Sequence, residues 1–312
     1  MGALAAHLRA TVPAPVSRMS DDSEREWERI AARLESGSDL ESALAGGTLP
    51  DELVDLIAAQ IADCIGASEG AALAQILNSS RESAFGRMLK FALRVEPALN
   101  VVTTNYDRLI EVHAARSNLP IDTMHYGHTV GRLDPERSQD ELLYRRTVAG
   151  RGVKSITSLR PHVRLSKPHG SLDWFSQGNE HFRSDLRLEG SRRIIAPGGN
   201  KYRLGYDAPF DSQRERANSA IDAAKSLLFI GYGFNDDHLQ THLAPVLPRV
   251  PVAIVSRGLT PAASRHLSLT SSGLAIESDE RGGCKVTRSA TMSYLDAPLW
   301  KLETLVEKVL GL

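Results

Sequence analysis

Three short clusters of polar residues and glycines contain the residue types best suited to chemistry in this sequence. They are TTNYD at 103–107, KPHGSLDW at 167–174 and GYGFNDDH at 231–238. Each follows a run of apolar or β-branched residues typical of a strand, and ligands bind beyond the carboxyl ends of parallel strands. We therefore expect the clusters to contribute to a ligand site, although polar turns also end strands that bind nothing.

The first cluster offers Asn105 and Asp107. The amide of Asn105 has both a donor and an acceptor, which suits holding a ribose hydroxyl or a water molecule. The alternative role for Asn105 is to cap the following helix. Asp107 is open to both interpretations as well, because a carboxylate in the first turn of a helix is favourable with no ligand present.

The second cluster places His169 between Pro168 and Gly170. A rigid residue on one side and a conformationally free one on the other suit a side chain held at a fixed point over a cleft. Imidazole titrates near neutral pH and can act as a general base. The alternative is a loop histidine bonded to the backbone.

Glycines and a later strand end supply candidates for cofactor binding. Gly231 and Gly233 would let the backbone approach a ligand, with the next helix N-terminus supplying N–H donors. The alternative is a tight turn between strand and helix. Ser256 and Arg257 end the strand VPVAIVSR, where a hydroxyl and a guanidinium suit the adenosine end of a dinucleotide, or are simply solvated.

A metal site is a competing hypothesis for His238 and His242. Their spacing of four residues on a predicted helix is that of a two-histidine metal pair. A metallopeptidase also needs a glutamate directly after the first histidine, and that position is Leu239. The sequence thus disfavours this site.

Composition excludes several classes of protein. The net charge of −1 provides no overall basic field for nucleic acid, so we expect no direct binding to DNA or RNA. The sequence indicates no secretory signal and no apolar run long enough to span a bilayer, so we expect a cytoplasmic protein with no membrane contact. Two cysteines, Cys64 and Cys284, cannot form a four-cysteine zinc site.

The elements that position the clusters follow from hydrophobic periodicity. Residues 21–98 have helical spacing and predict a helical subdomain. From residue 99 onwards, apolar strands alternate with helices, which predicts an α/β fold with a doubly wound, Rossmann-like parallel sheet and helices on both faces. Residues 120–160 are polar and interrupted by glycines, and we expect an irregular insertion there.

Together the motifs TTNYDRLIE, KPHGSLDW and LLFIGYGFNDDHL, followed by VAIVSR, resemble the SIR2-like domain of bacterial antiphage defence proteins, a relative of the sirtuins. The resemblance implies one SIR2-like domain over residues 1–312, with its nucleotide-binding core at 99–312. It also implies an enzyme that cleaves NAD to nicotinamide and ADP-ribose. Catalysis is then expected to depend on Asn105 and His169, with support from Asp107; the expected cofactor-binding residues are Thr104, Gly170, Gly231, Gly233, Ser256 and Arg257.

The sequence departs from this family in two ways. Sirtuins that deacetylate proteins hold a structural zinc with four cysteines, so we expect no zinc here and rank deacetylation below hydrolysis. Family members also begin with a strand and a glycine-rich loop that binds pyrophosphate. No such loop precedes Asn105, and residues 1–12 look like the helix that follows it. We expect the natural protein to have this first strand upstream, and NAD hydrolysis to require it.

The resemblance implies a biological setting as well. Family members act in antiphage defence by depleting NAD, and some assemble with a HerA-like DNA-translocating ATPase. A homo-oligomer and such an ATPase partner are therefore expected. The alternative to an enzyme is a non-catalytic subunit that assembles or binds within a defence complex.

Overall fold

The computed structural model describes residues 2–38, 40–46, 49–148, 154–186, 191–196, 207–288 and 291–312. These residues divide into two compact units. The first contains Met1–Ser79 and Glu96–Arg214, and the second contains Ser80–Val95 and Glu215–Leu312. The assignment of the whole chain to one domain stays a prediction.

A helical layer opens the first unit, as the hydrophobic spacing predicts. Its helices are α1 (Gly2–Thr11), α2 (Pro13–Val16), α3 (Asp21–Glu35), α4 (Leu40–Leu44) and α5 (Asp51–Asn78). Apolar faces of these helices form a core with Leu172 and Ile194, and Tyr106 packs against it. The helical layer therefore supports the segments that carry the first two clusters.

Helix α5 bears on the expectation that no apolar run is long enough to span a bilayer. With 28 residues and a mean hydropathy of 1.2 over its best window, α5 is long and apolar enough to cross a membrane by length and composition. The core helix of a globular protein meets the same criterion. Leu53, Ile57 and Ile61 of α5 are no more than 1% exposed and belong to the core of the first unit.

The first unit then forms a parallel sheet flanked by helices, which confirms the predicted mixed α/β class. Strands β1 (Ala98–Val102), β7 (His162–Ser166) and β2 (Ile121–Asp122) pair in parallel in the order β1-β7-β2. Helix α7 (Leu109–Arg116) connects β1 to β2. Its position after TTNYD agrees with the predicted strand, turn and helix.

The same unit contains an antiparallel sheet that the hydrophobic pattern does not predict. Its order is β10-β8-β9-β4-β3, with β3 (His125–Tyr126), β4 (Val130–Leu133), β8 (Gly170–Gln177), β9 (Glu180–Ser184) and β10 (Ser191–Ile194). Helix α8 (Pro135–Asp140) and a hairpin of β5 (Leu143–Val148) and β6 (Lys154–Leu159) complete the segment after β4. The described residues of the segment 120–160 thus form regular strands and a helix, where the sequence led us to expect irregular structure.

The second unit begins with α6 (Ala84–Ala92) and resumes within α9 (Phe210–Asp222). Its sheet has the order β11-β12-β13-β14-β15, with the first three strands parallel and the last two antiparallel. The elements are β11 (Leu227–Ile230), α10 (Asp237–Val246), β12 (Val252–Val255), α11 (Pro261–Leu269), β13 (Gly273–Ser278), β14 (Cys284–Arg288), β15 (Thr291–Leu295) and α12 (Leu302–Lys308). The alternation up to β13 is the predicted one.

Candidate functional site

The parallel register of β1 and β7 brings the first two clusters together. Val102 pairs with Ser166 at the carboxyl ends of the strands, and the amide of Thr103 donates to the carbonyl of Ser166 at 3.0 Å. Asn105 and His169 each lie three residues beyond this last pair. Two adjoining loops therefore carry both predicted catalytic residues.

The TTNYD loop leaves Asn105 exposed while it uses Asp107 to start a helix. The backbone amide of Asn105 donates to Thr103 Oγ1 at 3.2 Å, and the amide of Leu109 donates to Asp107 Oδ1 at 3.1 Å. The cap position of α7 is occupied by Arg108, so Asn105 does not cap this helix. Thr104 is half-buried between the strand and Asn105.

The backbone on both sides of His169 is held by hydrogen bonds. The amide of Ile195 donates to the carbonyl of His169 at 2.9 Å, and the amide of Gly170 donates to the carbonyl of Lys167 at 3.0 Å. Gly170 has φ of +91°, and a Cβ there would lie 2.1 Å from the carbonyl oxygen of Arg193. Only glycine fits at this turn, which carries the chain from the parallel sheet into the antiparallel one with His169 half-buried.

The GYGF loop of the second unit is open around its first glycine. Gly231 has φ of +63°, and a Cβ there would have no heavy atom of the described residues within 4 Å, apart from its chain neighbours. A Cβ at Gly233 would instead contact Asn235 and Thr260 at 3.4 and 3.5 Å. Thr260 Oγ1 donates to the carbonyl of Gly233 at 2.6 Å. The loop is thus fixed at Gly233 and leaves backbone accessible at Gly231.

Ser256 directly follows β12, the strand that pairs with β11 before Gly231. The amide of Gly231 donates to the carbonyl of Val255, the last residue of β12. The hydroxyl of Ser256 donates to the carbonyl of Gly258 at 2.9 Å, and Arg257 is exposed. The structure therefore groups Gly231, Gly233, Ser256 and Arg257 at neighbouring strand ends of the second unit.

Residues 99–251 match the family model described as SIR2-like domain. The match contains all three clusters and both predicted catalytic residues. This segment is a SIR2-like domain. No curated protein matches the chain significantly.

A SIR2-like domain indicates an NAD-related function, which agrees with the resemblance that the motifs carry. The matched segment runs from β1 to the residue before β12. It includes Asn105, Asp107 and His169 of the first unit and Gly231 and Gly233 of the second. Ser256 and Arg257 follow shortly beyond its end.

Sequence reasoning missed a buried cation in the SIR2-like domain. Lys167 is 2% exposed, and its ammonium donates to the carbonyl of Asp107, to Glu111 Oε1 at 2.9 Å and to Ser171 Oγ at 3.1 Å. Burial raises the pKa of Glu111, and Lys167 offsets part of that effect. The available signal was a lysine directly after a buried strand, where a solvated turn residue is the ordinary interpretation.

A second buried carboxylate of the SIR2-like domain lies in the same region. Asp173 is 2% exposed, and its Oδ2 lies 2.9 Å from Arg183 Nε. Burial by itself would raise the pKa of Asp173, but Arg183, Lys167, a hydrogen bond from Ser171 and His125 together outweigh burial and hold the pKa below its ordinary value. Lys167 and Arg183 together balance the charges of Glu111 and Asp173, as buried charges require.

Arg108 attaches the TTNYD loop to helix α5. Its backbone amide and its guanidinium both donate to the carboxylate of Glu69, with Nη2 to Oε2 at 2.6 Å. Glu69 is 4% exposed, and its carboxylate raises the pKa of Arg108 further above the ordinary value. No local pattern indicates this pair, because its members are 39 residues apart.

The histidine pair of helix α10 has a carboxylate partner. His242 Nδ1 lies 3.0 Å from both oxygens of Asp222. Within the part of the chain that the structure describes, no group of three or more His, Cys, Asp or Glu side chains is arranged to hold a metal ion. Among those residues, the metal hypothesis for His238 and His242 therefore finds no complete ligand set.

Proposed function

We propose that the protein is an NAD glycohydrolase that cleaves NAD to nicotinamide and ADP-ribose. The observation that carries the proposal is the pair of adjoining loops in the SIR2-like domain, with Asn105 and His169 at equivalent positions beyond paired strand ends. A polar amide and an imidazole on two loops joined by hydrogen bonds suit a displacement at a sugar carbon.

In the proposed reaction His169 acts as a general base on a water molecule or a ribose hydroxyl. For direct hydrolysis, the water oxygen bonds to the anomeric carbon of the nicotinamide ribose while the bond from that carbon to the pyridinium nitrogen breaks. The bonding pair goes to the ring nitrogen, which neutralises nicotinamide, and the water proton goes to His169. Asn105 orients the ribose and the water, and the Asp107 carboxylate stabilises positive charge on the sugar.

The remaining assignments of the proposal follow the resemblance. Backbone at Gly231 and Gly233, with Ser256 and Arg257, is assigned to the adenosine part of NAD, and Thr104 and Gly170 to the part next to the catalytic residues. The open space at Gly231 supports its assignment, because a ligand needs close access to the backbone. Two cysteines support hydrolysis over zinc-dependent deacetylation.

The proposed setting is antiphage defence by NAD depletion in the cytoplasm. A homo-oligomer and a HerA-like ATPase partner belong to this proposal through the resemblance. A net charge of −1 supports assigning any DNA contact to the partner.

The test is nicotinamide release from NAD by the purified protein and by the Asn105→Ala and His169→Ala variants. We expect each substitution to lower kcat by about 100-fold to 10,000-fold, the contribution of a well-placed general base or orienting group. Asn100→Ala is the matched control, because Asn100 is an exposed asparagine on β1 itself. Variants that retain wild-type kcat would remove this site from the mechanism.

Two further experiments distinguish NAD hydrolysis from the alternatives, a protein deacetylase and a non-catalytic assembly subunit. Release of nicotinamide that requires an acetyl-lysine peptide would identify a deacetylase instead. A wild-type protein that binds the HerA-like ATPase and releases no nicotinamide, alone or in that complex, would identify an assembly subunit.

A further inference from the structure

Lys167 joins the two loops that carry the predicted catalytic residues. It lies two residues before His169, and its ammonium donates to the backbone carbonyl of Asp107, two residues after Asn105. The bond therefore crosses from one loop to the other. The side chain of Lys167 thus connects the backbone of the Asn105 loop to the backbone of the His169 loop.

Ser171 adds a second connection through the same ammonium. Ser171 Oγ accepts from Lys167 Nζ at 3.1 Å and lies 3.3 Å from the carbonyl of Tyr106, to which it donates. The amide of Leu172 donates to the same carbonyl at 3.0 Å. Tyr106 and Asp107 are therefore both held from residues 167–172, the loop of His169 and the start of β8.

The burial of Lys167 gives these bonds their strength. An ammonium removed from water is stable only when its donors are satisfied and its charge is balanced. Glu111 on helix α7 supplies the charge at 2.9 Å. The helix that follows the TTNYD loop is thereby fixed to the same ammonium as the loop itself.

We propose that Lys167 is a positioning residue that holds the Asn105 loop and the His169 loop at the separation needed for NAD cleavage; this rests on the proposed function. With 2% exposure, Lys167 cannot itself bind substrate, so it acts through the two loops. Misplacement of catalytic groups by about 1 Å lowers rates by about 100-fold. Loss of the ammonium is expected to reduce kcat by that order while KM for NAD changes little.

Kinetics of Lys167→Met, Lys167→Arg and Ser171→Ala provide the first test. We expect Lys167→Met to lower kcat by about 100-fold, Lys167→Arg to recover part of this loss, and Ser171→Ala to lower kcat with little effect on folding. Arg116→Met is the matched control, since Arg116 also donates to backbone carbonyls, those of Leu77 and Ser79, from the opposite end of α7. It should keep wild-type kcat.

A double-mutant cycle tests whether Lys167 acts through Asn105. If positioning is its role, Lys167→Met should lower kcat by a smaller factor in the Asn105→Ala background than in the wild type, because one of the two groups that it positions is already absent. Multiplicative losses in the double mutant would show that Lys167 acts elsewhere and would overturn the proposal. A merely structural role would lower the amount of folded enzyme equally in both backgrounds and give multiplicative losses.

Amide hydrogen exchange separates this proposal from the proposed function. Lys167→Met, and Ser171→Ala if the first variant does not fold, should speed exchange at Leu109, Gly170 and Leu172 while α3 keeps its wild-type protection. If wild-type protein releases no nicotinamide, the proposed function fails and exchange alone decides whether Lys167 holds the loops. Unchanged exchange at these amides, or unchanged kcat in an active protein, would overturn the positioning role.

Discussion

The strand-end loops of the two units are fixed by different means. In the first unit, the loops around Asn105 and His169 are joined by buried charged side chains, with Lys167 only 2% exposed. In the second unit, the loop after β11 is held by the bond from the Gly231 amide to Val255, by the neutral hydroxyl of Thr260 and by an aromatic cluster in which the Phe229 and Phe234 ring centroids lie 4.6 Å apart. Its first glycine, Gly231, faces open space among the described residues.

This difference matches two physical requirements. Bond cleavage needs groups at fixed separations, and buried charge pairs with specific hydrogen bonds fix separations well. Binding of a large ligand needs backbone that the ligand can approach closely, which glycine at positive φ provides. Under the proposed function, the loops of the first unit hold reacting groups at fixed separations and the loop of the second unit gives a ligand close access; substitutions in each unit test this comparison.

The largest effect is expected from Gly170→Ala in the first unit. A Cβ there would meet the Arg193 carbonyl oxygen at 2.1 Å and Ile194 Cα at 2.9 Å, on backbone with φ of +91°. We expect a loss of more than about 4 kcal/mol in the free energy of unfolding, measured by urea denaturation. Gly178→Ala is the control, with φ of +59° and no clash with any described residue. Equal losses of unfolding free energy in Gly170→Ala and Gly178→Ala would show that the clash at Gly170 does not determine the effect.

Arg183→Met should have the next largest effect, because it leaves the buried carboxylate of Asp173 without its closest cation. We expect a loss of about 3 kcal/mol near neutral pH, at the low end for a broken buried pair because Lys167 remains nearby. Since the pKa of Asp173 is lowered in the folded protein, the stabilisation from Arg183 is present above the ordinary pKa of about 3.9 and disappears as pH falls through the folded pKa.

The control for Arg183 is Arg132→Met on the neighbouring strand β4. Arg132 pairs with Glu180 at 2.8 Å, but the two side chains are 67% and 56% exposed. Exposed pairs contribute about 1 kcal/mol or less, so this variant should unfold close to the wild type at every pH. A similar loss in the two variants would show that burial of Asp173 does not determine the effect.

Gly231→Ala tests the open loop of the second unit. Its φ of +63° makes alanine unfavourable by about 1–2 kcal/mol, with no clash among the described residues. If the loop binds NAD, the added methyl should also raise KM about 10-fold with little change in kcat, since a loss of about 1.4 kcal/mol in binding corresponds to that factor. Gly282→Ala, with φ of +88° and similarly open space, should cost similar stability and leave KM unchanged. Equal KM values for the wild type and Gly231→Ala would show that Gly231 does not contact NAD.

Local patterns predicted the elements that carry the site. The β-branched run before Asn105, the strand before His169 and the strand LLFI each form where periodicity places them, because apolar period and length determine such elements locally. The roles of Asn105, Asp107 and His169 stay predictions, since a fold positions side chains without showing what they catalyse.

Features that depend on distant partners escape local patterns. Lys167 is buried by acceptors from residues 107, 111 and 171, which only the folded chain brings together. In the segment 120–160, glycines suggest breaks, yet Gly127 forms the turn of a hairpin: its φ is +119°, and a Cβ there would lie 2.5 Å from the Val130 carbonyl oxygen. Glycine can interrupt regular structure or form the tight turn of a hairpin, so composition does not distinguish an irregular segment from a hairpin.

The smallest effect is expected in the pH dependence of stability that Glu111 produces. Burial raises the pKa of Glu111 and Asp173 raises it further, while Lys167 lowers it in part. The folded protein therefore binds more protons than the unfolded chain between the ordinary pKa of about 4.3 and the raised folded value. In that window the free energy of unfolding falls as pH rises, and it levels out above the folded pKa.

Glu111→Gln removes this titration, so the stability of the wild type relative to this variant should fall as pH rises through the window, measured by urea denaturation at successive pH values. Glu52→Gln is the control with the opposite sign. Hydrogen bonds from Ser20 and Ser23 lower the pKa of Glu52, so its contribution to stability is present above about 4.3 and is lost as pH falls through the folded pKa. If the unfolding free energy contributed by Glu111 and by Glu52 changed with pH in the same direction, burial would not determine the pKa of Glu111. The buried charges that join the loops of the first unit would then be those of Lys167 and Asp173, without Glu111.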